Sequence, residues 1–227
     1  MDNHHSHSNE DTNVLEHHHT VLDEIFCHLP FAIFSVAFAM ICLSLFSYSS
    51  SPSETSTLTY RLFHNFHYLH LLFAATGTVL TFLRFSKNIL LGIGVGFAVP
   101  AFFCTFSDAF LPYLGGKYVN LSMHFHWCFL SHLDVVLPFL IVGMINGWAM
   151  SNHRLNYQLF FSLGFHFIHI LISSMASVLY LISFGFCDWW NHMGFVFIFL
   201  IIAVLIPCTF SDIIVPMLFA RIKSHKH

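Results

Sequence analysis

Six apolar stretches, each about 20 residues or longer, follow one another along this 227-residue chain with short polar loops between them. That pattern leaves few folds open. Backbone N–H and C=O groups in hydrocarbon must be satisfied without water, and an α-helix does this within a single segment. The stretches fall at about 25–48, 61–83, 88–113, 125–149, 158–184 and 193–219. The loops at 49–59, 84–87, 114–123, 151–157 and 185–191 carry most of the polar residues, and Tyr113, Tyr118, Trp189 and Trp190 stand where interfacial aromatics belong. Only 8% of the residues are charged, where soluble domains carry about 25%. Mean hydropathy is +0.72. The expected fold class is all-α, a polytopic membrane protein with six transmembrane helices.

Composition also narrows function. The six cysteines lie in or beside apolar segments and form no Cys-x-x-Cys pair, so neither a disulfide framework nor a thiolate zinc knuckle is expected. No phosphate-binding loop, dinucleotide fingerprint or nucleophile elbow occurs. A net charge of −3 gives no reason to expect nucleic acid as a partner. The first twenty residues are polar and contain no Lys or Arg, unlike a signal peptide, so the first apolar stretch is expected to remain as a membrane helix.

The chain repeats a signature. Cys104-Thr105-Phe106-Ser107-Asp108, with Pro112 four residues on, recurs as Cys208-Thr209-Phe210-Ser211-Asp212 with Pro216. The likeness extends to the second and fifth stretches, where His67-x-x-His70 and His166-x-x-His169 each precede a run of small residues. His28-Leu29 and His132-Leu133 keep the same offset in the first and fourth. Three spans per unit is an odd number, so two such units in one membrane are expected to lie with opposite topology, as inverted repeats. The expected organisation is a polar His-rich cytoplasmic tail at 1–24, a first three-helix repeat at 25–113, a loop at 114–124, a second repeat at 125–219 and a short basic tail at 220–227. Six spans put both ends on one side. Arg84, Lys87, Arg154, Arg221, Lys223 and Lys226 fall on that side, against Arg61 and Lys117 on the other, so both termini are expected in the cytoplasm.

Ionisable side chains at membrane depth are costly and usually functional. Depth counted along each helix at 1.5 Å per residue predicts two clusters, one per leaflet. His67, His70, Cys104, Asp108 and His132 form the outer one; His28, His166, His169, Cys208 and Asp212 the inner one. Cys104, Ser107 and Asp108 share a helix face, as do the members of each histidine pair. Pro112 and Pro216 lack an N–H, which in an α-helix frees the carbonyls of Asp108 and Asp212. Imidazole, thiol and carboxylate together suit Zn, Co, Ni, Cu or Fe better than Mg or Ca. His64, His124, His126, His153 and His192 sit near span ends, where solvation explains them. His4, His5, His7, His17–His19, His225 and His227 in the tails are a composition that binds divalent metals loosely.

These residues support two functions. One is a gradient-driven transporter of a transition-metal cation, since the chain has no ATP-binding motif. The other is a two-haem b-type membrane cytochrome, with His67 or His70 pairing His132 on one haem and His166 or His169 pairing His28 on the other. That alternative gives the repeated Cys and Asp no role. A membrane di-metal oxidase gathers its histidines on one face in closely spaced boxes, unlike the divided set here. Expected partners are membrane lipid and the cation, with a homo-oligomer or partner subunit left open.

Overall fold

The computed structural model describes residues 20–49, 52–120, 122–152, 158–185 and 189–224. The histidine tails, Arg154 and Cys187 fall outside them, as do the side chains of Trp189 and Trp190. Among the described residues there is no strand. Six helical segments are long and apolar enough to cross a membrane: Asp23–Leu45, Thr57–Phe85, Ile89–Tyr118, Leu133–Ser151, Gly164–Ser183 and Met193–Arg221. They are spans one to six, and the chain is an all-helical multi-pass membrane protein.

The ends differ from the hydropathy boundaries in two places that matter. Span two belongs to a helix that begins at Pro52, so its histidines lie deeper than a start at 61 implies. Span four begins at Leu133, not near 125. Residues 122–127 are irregular and Cys128–Ser131 is a single helical turn, so aromatic and histidine side chains that read as membrane helix cover one end of the bundle instead.

Spans two and five form the interior. Buried residues make up 67% and 61% of their apolar windows, against 22% for span four and 33% for spans one and three. Span two packs on spans three, four and five and on the end of span six; span five packs on spans one and two. Small residues set this arrangement, because helices in lipid associate by close packing. Ala74, Ala75, Thr76, Thr78, Ser173, Ser174, Ala176 and Ser177 are all buried. A Cβ on Gly143 would lie 2.4 Å from the Leu72 carbonyl oxygen, and one on Gly147 2.6 Å from that of Thr76. The Gly143-x-x-x-Gly147 face of span four therefore lies directly on the backbone of span two. Thr76 Oγ1 adds a bond across the contact to the Gly143 carbonyl at 3.0 Å.

Candidate metal centre

Each signature is folded into a π turn, Phe106–Phe110 and Phe210–Ile214, a distortion frequent at functional sites. Leu111 and Val215 donate back five residues, to the carbonyls of Phe106 and Phe210. This register moves the effect of the prolines by one position. Pro112 stands five residues after Ser107, and Pro216 five after Ser211, so the carbonyls deprived of a donor are those of the serines. The expected loss at Asp108 and Asp212 holds only for an unbroken α register. Neighbouring spans supply the missing donors: Ser177 Oγ lies 3.1 Å from the Ser107 carbonyl and Thr78 Oγ1 lies 2.9 Å from the Ser211 carbonyl. Thr78 and Ser177 are aligned positions in the repeated sequence. These carbonyls are occupied by hydroxyls and are not ion ligands.

The π turns aim the carboxylates at the histidine pairs. Asp108 Oδ2 accepts from His67 Nδ1 at 2.9 Å and His70 Nδ1 at 2.7 Å, while Oδ1 accepts from Ser107 and Ser173 at 2.9 and 3.1 Å. Asp212 Oδ2 accepts from His169 Nδ1 at 2.5 Å and lies 3.2 Å from His166 Nδ1. A carboxylate can only accept, so Nδ1 carries the proton in His67, His70 and His169, and the neutral ring holds its lone pair at Nε2. His67 Nε2, His169 Nε2, Asp212 Oδ1 and Ser211 Oγ are buried with no hydrogen-bond partner among the described residues.

The two expected clusters meet at the centre and are not separated by leaflet. His70 Nε2 lies 3.6 Å from Cys208 Sγ, and the rings of His70 and His169 are 4.6 Å apart. Ligand atoms of His70, His169 and Cys208 all lie within 4.8 Å of one another, as do those of His166, His169 and Asp212. His70, His169 and Cys208 sit near the middles of their helices, which puts this junction at mid-depth. His28 joins the second group through its ring contact with His166 at 5.1 Å, with Nδ1 on the Glu24 carbonyl. His132 does not join His67, His70, Cys104 and Asp108. It caps the start of span four, beside His64 and His126. Cys104 is buried among Tyr68, Leu71, Val136 and Leu140, in no group of ligand atoms among the described residues.

Sequence reasoning missed His64 and His126, assigning them to interfacial solvation. Their ligand atoms and those of His132 lie within 4.8 Å of one another. The signal was present: His64 stands three residues before His67, so His64, His67 and His70 form one stripe. In this region, outside the spans, burial and then the neighbouring His64 and His132 hold His126 below the ordinary histidine range. Burial raises the nearby Cys128 thiol, but the imidazoles of His64 and His67 outweigh it and lower it.

The haem alternative fits poorly. The rings of His28 and His166, one of the expected haem pairs, lie edge to face with centres 5.1 Å apart, and His132, expected to pair with His67 or His70, lies against His64. His70 faces His169, across the boundary between the two expected haem sites. The His, Cys and Asp groups instead fit a membrane metal-binding protein. No protein-family model matches this chain, no curated protein matches its sequence, and no solved structure matches its fold.

Proposed function

We propose that this protein carries a transition-metal cation across a membrane, with His70, His169 and Cys208 as the ligands of a central site. The observation that carries this reading is the shared orientation of the buried imidazoles. Metal-ligating histidines characteristically donate the far ring N–H to a carboxylate, which fixes the tautomer and strengthens the ligand nitrogen. His70 does so on Asp108 and His169 on Asp212, and the nitrogens left over converge with a thiol contributed by a third helix. Asp108 and Asp212 thus act as positioning groups behind the ligands. The mid-depth location matches where carriers bind cargo, at the seam between the two halves.

Charge balance supplies a coupling mechanism. The ion pairs of both carboxylates, among the described residues, are with histidines alone. Without metal, the two buried carboxylates are balanced by two protons on the imidazoles, and Cys208 keeps its thiol proton. With a divalent cation bound, Cys208 is a thiolate, and the three negative charges are balanced by the cation and one proton kept on His67 or His166, so that two protons leave. Binding of a divalent ion therefore displaces protons, and exchange of one for the other across the membrane would drive transport. The repeated π turns with their reciprocal hydroxyl contacts support the inverted-repeat reading, in which the halves rock about this site. The distribution of Lys and Arg supports cytoplasmic termini.

The test is metal content and spectrum. Purified protein loaded with Co2+ should retain the ion at the centre with a thiolate-to-cobalt absorption band. Cys208→Ser should abolish that band. A band that persists in Cys208→Ser, or protein that holds haem and no metal, would falsify this assignment.

A further inference from the structure

We infer that His64, His126 and His132 form a second transition-metal site, a three-imidazole platform at one end of the bundle that is separate from the central ligands. Three segments build it: span two, the irregular stretch 122–127 and the N-cap position just before span four. His64 Nδ1 lies 2.8 Å from the Tyr60 carbonyl, which can only accept, so the proton sits on Nδ1 and Nε2 presents a lone pair. That Nε2 lies 3.4 Å from His126 Nε2. Two nitrogens bound to one tetrahedral zinc at ordinary Zn–N lengths are about 3.3 Å apart. The ring centres of His64, His126 and His132 form a nearly regular triangle with sides of 5.4, 5.4 and 6.1 Å. His132 stands at a helix N-terminus, and its side chain makes no capping hydrogen bond there.

The surroundings suit a soft or borderline cation. Tyr60, Phe63 and Phe184 wall the platform, with the His126 and Phe184 rings stacked at 5.3 Å. No carboxylate joins the three imidazoles in their group of ligand atoms among the described residues, and imidazole ligands favour Zn, Co, Ni or Cu over Mg or Ca. Its position gives it a task within the carrier reading, on which only this last step rests. His64 is six residues from His70 along the inclined i, i+3, i+6 row of one helix, about 9 Å along the axis. His67 lies between them, with its Nε2 buried and without a partner among the described residues. The platform, His67 and the central ligands form a graded series of imidazoles leading from the bundle end to mid-depth.

The test is zinc stoichiometry of the full chain in detergent, by elemental analysis after Zn2+ loading and removal of free ion. Wild-type protein should hold two ions. His126→Gln with His132→Gln should hold one, and His70→Gln with Cys208→Ser should hold the other. His126 and His132 are only partly buried, so their loss should leave the gel-filtration profile unchanged. His132→Asp, which keeps a ligand atom, should retain two ions and covers the case in which the double variant fails to fold. Unchanged stoichiometry in His126→Gln with His132→Gln, or one ion in the wild type that only the central variant removes, would overturn the platform. Two ions lost only through the platform variants would overturn the central assignment and leave the platform standing.

Discussion

The two copies of Cys-Thr-Phe-Ser-Asp share sequence and π-turn geometry, yet their carboxylates differ in how fully they are satisfied. Asp108 has four donors: two imidazoles on one oxygen and two hydroxyls on the other. Asp212 has imidazoles on one oxygen, while its other oxygen and the Ser211 hydroxyl lack partners among the described residues. The cause is legible position by position. Ser173, which donates to Asp108, aligns with Ala74 in the other half, so Asp212 lacks the counterpart of that donor. Ala176 aligns with Gly77, and the absence of a Cβ at Gly77 lets the Asp212 carboxylate press against span two. Cys208 approaches His70 whereas Cys104 is packed among apolar side chains. Both oxygens of the Asp108 carboxylate are thus satisfied, whereas one oxygen of Asp212 and the Ser211 hydroxyl stay open among the described residues.

Removing each carboxylate in turn should separate the two copies most strongly. Asp108→Ala should destabilise the protein by about 3–5 kcal/mol, because buried donors lose their acceptor. Asp212→Ala should unfold at a temperature closer to wild type while weakening zinc binding by about 10- to 100-fold, the usual effect of deleting a group behind a ligand. Equal melting shifts in detergent would erase the distinction. A smaller perturbation acts through packing. A Cβ on Gly77 would lie 2.9 Å from Asp212 Cγ and Oδ2, so Gly77→Ala should displace that carboxylate and weaken zinc binding about 10-fold. Gly94→Ala meets open space and should leave affinity unchanged.

The two π turns also differ in how their serine carbonyls are held. Thr78→Val strands the Ser211 carbonyl and should cost about 1–3 kcal/mol in thermal unfolding. Ser177→Ala should cost less, because the Ser177 hydroxyl also reaches the Ser173 carbonyl at 2.9 Å. The mildest change is Ala74→Ser, which offers Asp212 the hydroxyl that Ser173 offers Asp108. It should raise stability by about 1 kcal/mol and weaken cation binding slightly. A loss of stability would show that the halves are not equivalent at this position.

Much of the fold could be read from hydropathy, because six spans and their approximate order follow from apolar length alone. Candidate residues stood out in the sequence because a repeated carboxylate in an apolar stretch is expensive to keep. Their grouping was harder. Counting depth along isolated helices separates His70 from His169, but span two belongs to a helix that starts at Pro52 and packs directly on span five, and the two rings lie 4.6 Å apart. The proline effect was displaced by one residue because a π turn leaves no mark in hydropathy. His126 and His132 were misplaced because the aromatic stretch before Leu133 is apolar enough to read as helix, yet folds irregularly over the bundle end.

The measurement that bears most directly on the account is zinc or cobalt flux into proteoliposomes with an imposed pH gradient. Wild-type protein should give saturable metal movement coupled to proton movement in the opposite direction, and Asp108→Asn combined with Asp212→Asn should abolish both. Flux retained in that double variant, or no flux from folded wild-type protein with its central site loaded, would contradict it.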